Sequence, residues 1–126
     1  EVPVCSRTFS LSNGTALTAE LMKQYSWIGL GENTSSFTFY SDYFHNIGLS
    51  FSPDVEAATA DQILPMIKSD LGIGFVPREF LEQENMEHLT MLTMEPPIPE
   101  RNICLLKRTD TPLSMAASAL EKLVRQ

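Results

Sequence analysis

The segment from Gly72 to Pro77 restricts the fold of this chain more than any other. Its four central residues, Ile73-Gly74-Phe75-Val76, carry no charge and are apolar on both alternating faces. A strand of this kind needs cover on both sides, and parallel strands in α/β proteins receive that cover from helices. The segment therefore predicts a buried strand within a helix-covered sheet.

Helical and extended patterns alternate along the rest of the chain. The predicted strands cover residues 1–7, 26–30, 53–57, 73–76, 89–94 and 102–108. Helices are predicted between most of these strands, and a last helix follows the final strand. Such alternation is typical of α/β folds, and it predicts a mainly parallel sheet flanked by helices.

The aromatic-rich segment in the first third of the chain fits two patterns. From Phe37 to Ile47 its apolar residues recur at intervals of three and four, which is one face of a helix. The aromatic side chains also fit a two-residue alternation, as in a strand. The helix is favoured, because Ser35 or Ser36 suits its N-cap and Gly48 suits the position after its end.

The remaining helix ends are also predicted from local signals. Thr59 is expected to cap a helix that runs to about Asp70 and ends at Gly72. Pro65 lies inside that helix and is expected to bend it, because proline lacks a backbone donor. Thr111, followed by proline, is expected to cap the terminal helix.

The charge balance argues against direct binding to nucleic acid. The 126 residues contain 9 Lys and Arg against 16 Asp and Glu, a net charge of −7. An acidic chain repels phosphate.

No apolar run reaches the roughly 20 residues that span a bilayer, so no membrane partner is expected. Residues 2–4 already resemble a strand, so we interpret the start of the chain as internal to a longer protein.

No constellation for catalysis, metal binding or a cofactor stands out. His45 and His88 lack the spacing of metal ligands, and we interpret both as structural. Cys5 and Cys104 form no Cys-x-x-Cys pair and are expected to be free thiols in a reducing compartment, the cytoplasm. Gly72-Ile73-Gly74 precedes a strand, so it is not a phosphate-binding loop.

One polar loop has a possible binding role. Gly31, Asn33, Thr34, Ser35 and Ser36 leave the carboxyl end of a predicted strand and enter a helix. Small ligands bind at this place in open α/β sheets, where free helix amides and hydroxyls can hold a polar or anionic group. The alternative is that these residues only cap the helix and keep the loop soluble.

Four segments of the chain share a pattern with one known family. Residues 58–77 form a helix that ends in glycine, a buried strand and a proline, and Trp27-Ile28-Gly29-Leu30 precedes the polar loop. Tyr43-Phe44 with Ile47-Gly48-Leu49 marks a helix end, and residues 101–126 form a closing strand and helix. In order and spacing these segments resemble the effector-binding domain of LysR-type transcriptional regulators.

The resemblance implies one subdomain of a type 2 periplasmic-binding-protein-like fold. Residues 8–101 would then form the second subdomain. Residues 1–7 and 102–108 would be adjacent antiparallel crossover strands, which would bring Cys5 and Cys104 close together. Residues 112–126 would be a helix that belongs with the first subdomain.

The resemblance also implies a function without catalysis. The chain would sense a small-molecule effector and control transcription through an N-terminal winged helix-turn-helix outside this sequence, within a homo-oligomer. The loop 31–36 would line the effector cleft, with Gly74 or Phe75 near its floor. A fragment of a solute-binding protein for transport is the alternative, and an enzyme with a base and nucleophile near Ser35 is the third hypothesis.

Overall fold

A five-stranded sheet forms the centre of the computed structural model, which describes residues 1–126. The strands are β1 (Val2–Ser6), β2 (Ala16–Leu17), β3 (Trp27–Leu30), β4 (Val55–Ala57), β5 (Ile73–Val76), β6 (Leu89–Met91) and β7 (Thr93–Met94). The helices are α1 (Ala19–Met22), α2 (Ser35–Asn46), α3 (Ile63–Lys68) and α4 (Met115–Val124). Their order confirms the predicted alternation of strands and helices.

The main sheet has the strand order β4-β3-β5-β1-β6. β3 runs parallel to both β4 and β5, whereas β1 runs antiparallel to β5 and β6. Four strands therefore share one direction, and β1 alone opposes them. The predicted α/β fold with a mainly parallel sheet is confirmed. β2 and β7 form a separate parallel pair.

Both faces of the sheet carry a hydrophobic layer. Aromatic side chains dominate the layer beneath α2, where Trp27, Phe44 and Phe75 pack together. Aliphatic side chains fill the layer beneath α3, including Ile67 and Val76. Burial of all four β5 residues agrees with the two-faced cover that its sequence predicts.

The prediction of a strand at residues 102–108 is wrong. This segment has no regular secondary structure and is exposed to solvent. β1 cannot pair with it, because β5 and β6 already occupy both edges of β1. Cys5 is buried opposite Thr90, whereas Cys104 is exposed, so the expected adjacency of the two crossover strands and the two cysteines is also wrong.

The N-terminal ends of the two longest helices lie at different residues from those predicted. Thr34 caps α2, with its hydroxyl accepting a hydrogen bond from the Phe37 amide, so neither Ser35 nor Ser36 is the cap. Ser114, and not Thr111, caps α4 in the same way. At both ends the cap differs from the predicted residue by only one to three positions, as is common for helix boundaries.

Pro65 lies in the first turn of α3, because the predicted helix is divided. A separate 3-10 turn at Ala60–Gln62 precedes α3, so Pro65 is the third residue of the α-helix. An amide in the first turn has no intrahelical acceptor, and proline costs no hydrogen bond there. Thr59 starts the 3-10 turn without a side-chain cap. After α3, Asp70 adopts a left-handed backbone conformation with φ of 63°.

The terminal helix α4 has no buried residue. Leu120, Leu123 and Val124 are 55%, 66% and 58% exposed, so the apolar stripe of this helix is uncovered. Glu121 and Arg125, four residues apart on this helix, form an ion pair with an N–O distance of 3.1 Å. None of the helices combines the length and the apolar character that crossing a membrane requires.

Asp70 ties the end of α3 to the last residue of β1 and to the turn after it. Its carboxylate accepts hydrogen bonds from the hydroxyls of Ser6 and Thr8, the latter at 2.8 Å. These two bonds hold the pKa of Asp70 below its usual value. A carboxylate with a lowered folded-state pKa stabilises the fold fully above its unfolded pKa, and this contribution is lost as pH falls through the folded value.

We therefore expect Asp70→Asn to flatten the acid limb of stability against pH. Asparagine tolerates the left-handed conformation, so the backbone is retained while the ionisable acceptor is lost. Urea unfolding measured from pH 7 down to below about pH 4, the usual range of aspartate, would show the wild type losing more stability than the variant. Asp61→Asn, at an exposed carboxylate, is the control; an equal effect of both substitutions would contradict this role of Asp70.

Candidate functional site

The carboxyl ends of the parallel strands meet at one edge of the sheet. Leu30, at the end of β3, pairs with Ala57, at the end of β4. Val76, at the end of β5, pairs with Val2, at the start of β1. The loop 31–36 leaves β3 at this edge, as the sequence predicts. Its neighbours there are the segment after β5 and the first residue of the chain.

A cleft of about 510 Å³ opens at this edge. Its volume lies in the range of small-molecule sites. Charged, polar and apolar side chains share its walls. The lining residues are Glu1, Ser36, Phe39, Pro77, Glu79, Ile98, Pro99, Glu100, Arg101, Asn102 and Ile103.

Within the predicted loop, Thr34 has a structural task. Its hydroxyl donates to the Gly31 carbonyl at 2.8 Å and accepts from the Phe37 amide at 3.1 Å. Gly31 lies in a tight place, because a side chain there would approach the Glu56 carboxylate oxygen to 2.9 Å. Thr34 and Gly31 therefore shape the loop, and the Thr34 hydroxyl is already engaged.

Ser36 is the loop residue that lines the cleft. Its hydroxyl oxygen accepts a hydrogen bond from Nη1 of Arg101 at 3.2 Å. Ser35 and Asn33 lie in the same loop and are exposed. The first amides of α2 have no acceptor within the helix, so this helix end attracts negative charge. Hydroxyl, helix amides and guanidinium together form a set of hydrogen-bond donors.

The two predicted floor residues have different surroundings. Phe75 stacks on Tyr40 with ring centroids 4.1 Å apart, and it borders a small cavity of about 30 Å³ together with Ser36. Gly74 lies beneath α3, where an added Cβ would stand 2.6 Å from Cγ2 of Ile63. Phe75 thus lies below the cleft edge, whereas Gly74 allows close packing of helix on sheet.

Sequence reasoning missed a group of three polar side chains beside Ser36. The Tyr40 hydroxyl donates a hydrogen bond to the Glu1 carboxylate. Nη1 of Arg101 lies 2.9 Å from the same carboxylate, and the guanidinium carbon lies 4.9 Å from the centre of the Phe39 ring. Glu1 and Arg101 are far apart in sequence, and no motif links them. The only signal was their position: Glu1 begins the first predicted crossover segment, and Arg101 immediately precedes the second.

The environment of this group keeps its hydrogen-bonding roles fixed. Burial, followed by the hydrogen bond to Glu1, raises the pKa of Tyr40 far above its usual value, so the phenol remains a donor. Burial opposes the charge of Arg101, but Glu1 and Tyr40 together outweigh burial and raise the pKa of the guanidinium. Arg101 therefore stays charged at any physiological pH.

The chemistry available at the cleft suits reversible binding. Its walls offer hydrogen-bond donors, carboxylates and apolar surface. Nowhere in the structure do three or more His, Cys, Asp or Glu side chains lie where they could hold a metal ion.

A second cleft of about 400 Å³ lies at the opposite edge of the sheet, where Ser50, Asp54 and Trp27 are among its lining residues.

Comparisons with known proteins agree with this architecture. The family model described as the LysR substrate binding domain matches residues 2–126. Among solved structures, the chain is similar to the regulatory domain of CcmR from Synechocystis PCC6803 in complex with 2-PG, with a TM-score of 0.74 and 16% identity. The similarity covers 98% of this chain and 60% of that one, so the chain spans less than two thirds of its neighbour's length. No curated protein matches the chain.

Proposed function

The chain belongs to the LysR substrate-binding domain family, and on this basis we propose that it senses a small-molecule effector for a bacterial transcription regulator. The observation that carries the proposal is the cleft at the carboxyl edge of the sheet, where Ser36 and the start of α2 present hydrogen-bond donors. The family match favours regulation over the transport alternative and over catalysis.

The parts of the regulator outside this chain enter the proposal as its partners. Residues 8–101 act as one subdomain, and residues 112–126 pack on a first subdomain that these 126 residues do not include. The uncovered apolar stripe of α4 supports this assignment, because such a stripe needs a partner surface. An N-terminal winged helix-turn-helix binds DNA within a cytoplasmic homo-oligomer.

The proposed mechanism is a shift in population between two arrangements of the subdomains. The effector binds between them and stabilises the arrangement for which it has the higher affinity. Ser35 and Ser36 donate to the effector, Gly31, Asn33 and Thr34 give the loop its shape, and Phe75 supports the cleft from below. Gly74 contributes through packing beneath α3.

We expect Ser36→Ala to weaken ligand binding at the cleft by about 3- to 10-fold. One hydrogen bond contributes about 0.5–1.5 kcal/mol, and 1.4 kcal/mol corresponds to a factor of ten. The probes are 2-PG, which the CcmR domain binds, and a panel of small carboxylic acids. Binding to the 126-residue chain would be followed by amide chemical shifts in NMR titrations.

Ser50→Ala is the matched control, because Ser50 lines the cleft at the opposite edge of the sheet. The proposed site is supported if the ligand changes amide chemical shifts only at residues 31–36 and 75–79. These changes should be lost in Ser36→Ala and kept in Ser50→Ala. Shifts around Trp27 and Asp54 instead would place binding in the other cleft and contradict the proposal.

A further inference from the structure

The guanidinium of Arg101 has one engaged nitrogen and one open edge. Nη1 makes both hydrogen bonds of this side chain, to the carboxylate of Glu1 and to the hydroxyl of Ser36. Nε and Nη2 contact no acceptor. A guanidinium carries five N–H donors, and its Nε and Nη2 groups point the same way with the spacing of carboxylate oxygens.

The orientation of this edge is fixed from two sides. The guanidinium lies over the ring of Phe39, which restricts its plane. The Glu1 carboxylate holds Nη1, and the hydroxyl of Tyr40 holds that carboxylate in turn. Tyr40 is only 6% exposed and stacks on Phe75, so the chain of contacts starts at a rigid part of the core.

We propose that the open Nε–Nη2 edge of Arg101 binds a carboxylate of the effector, and that Tyr40 acts as a positioning residue through Glu1. This inference rests on the proposed function, because it assigns the ligand class of the same cleft. The ligand's carboxylate lies in the plane of the guanidinium and accepts two parallel hydrogen bonds. The first amides of α2 and Ser36 supply the remaining donors of this subsite.

The other charges of the cleft restrict the ligand to one acidic group. Glu79 and Glu100 line the same walls, and neither has a basic partner within ion-pair distance. Two uncompensated carboxylates repel each additional negative charge of a ligand. Phe39, Ile98 and Pro99 offer apolar surface to the rest of the molecule. A monocarboxylic acid with an apolar body therefore fits better than inorganic phosphate or a dicarboxylate.

The first test compares ligand classes on the 126-residue chain. Butyrate, benzoate, succinate and inorganic phosphate would be titrated separately by NMR at a fixed ionic strength. We expect at least one monocarboxylate to bind about 10-fold more tightly than succinate and phosphate, with shifts at residues 31–36. Equal or tighter binding of succinate or phosphate, or no binding of either monocarboxylate, would overturn the inference.

The second test separates Arg101 from its support. We expect Arg101→Gln to weaken monocarboxylate binding by about 10- to 100-fold, since charge-assisted hydrogen bonds are lost. Tyr40→Phe keeps the stacking on Phe75 and removes only the hydroxyl. We expect it to weaken binding by about 3- to 10-fold, with Glu1→Gln having a similar effect. Arg125→Gln, on exposed α4, is the matched control.

The guanidinium itself provides a readout that a purely structural role of Tyr40 would not change. In the wild type the guanidinium of Arg101 should rotate slowly, so that its side-chain nitrogens give separate ¹⁵N resonances. In Tyr40→Phe it should rotate freely, so that these resonances are averaged. Unchanged resonances and affinity in that variant would refute the positioning role. If Ser36→Ala weakens ligand binding but Arg101→Gln does not, the inference about Arg101 fails and the proposed function stands. If neither substitution weakens binding, the inference and the proposed function both fail.

Discussion

Replacing Phe75 by alanine is expected to lower the free energy of unfolding by about 3–5 kcal/mol, the usual cost of truncating a buried aromatic residue. Its side chain is 4% exposed and lies at the centre of the aromatic layer. It stacks on Tyr40 at a centroid distance of 4.1 Å and on Trp27 at 5.4 Å. Alanine removes both contacts and leaves a cavity between α2 and the sheet.

The loss would take a large share of the total stability, which is about 5–15 kcal/mol for a domain. Urea unfolding followed by far-UV circular dichroism measures the change. Phe80→Ala is the matched control, because Phe80 is 40% exposed and should cost much less. A similar loss for both variants would mean that Phe75 is not the centre of this layer.

Gly74→Ala is expected to destabilise the chain by about 1–3 kcal/mol through overpacking. The new methyl group would stand 2.6 Å from Cγ2 of Ile63 and 3.1 Å from Cδ1 of Ile67, so α3 would have to move away from β5. The effect is on packing, and the cleft lies elsewhere on the sheet. Ligand binding to the folded fraction should therefore change little.

A double-mutant cycle with Ile63→Leu tests this cause directly. Leucine has nearly the volume of isoleucine but lacks the Cγ2 methyl group that collides with the new Cβ. The cost of Gly74→Ala should fall in the Ile63→Leu background, which gives a favourable coupling energy. If the effects of the two substitutions on the free energy of unfolding simply add, the close approach of residue 74 to Ile63 is not the cause.

The two roles suggested for residues 74 and 75 can thus be separated by experiment. One or the other was expected near the floor of the cleft on the basis of the family resemblance. The structure supports that position for Phe75, which borders a cavity shared with Ser36. It assigns Gly74 to the opposite, aliphatic layer, because successive residues of a strand point to opposite faces.

Local patterns succeeded where neighbouring residues determine the structure. The intervals of three and four between apolar residues predicted α2, and Gly48, with φ of 82°, follows its end as expected. The uncharged run at Ile73–Val76 predicted a strand buried on both faces. Thr18 caps α1 through the Leu21 amide, as expected of a threonine at the start of a helix. Helix periodicity and capping depend on interactions within a few residues, and an uncharged run is recognised from its own residues alone.

Local patterns failed where the outcome depends on an available partner. Residues 102–108 have the composition of a strand, but both edges of β1 are taken and the segment remains without regular structure. The apolar stripe of α4 is correct as a pattern, yet within these 126 residues it has no surface to cover it. A strand or an amphipathic helix needs a second element, and its own sequence does not specify where that element is.

The sequence by itself determined the class of fold, the order of its elements and the loop at which to look for a ligand. The tertiary structure decided which side chains of that loop face the cleft, since Thr34 turns inward to cap α2 while Ser36 lines the opening. It also brought Glu1 to Arg101, which is 100 residues away in sequence. Hydrophobic periodicity records which face of each element is buried. It carries no information about which distant polar groups meet once those faces have packed, because that depends on how the strands are ordered in the sheet.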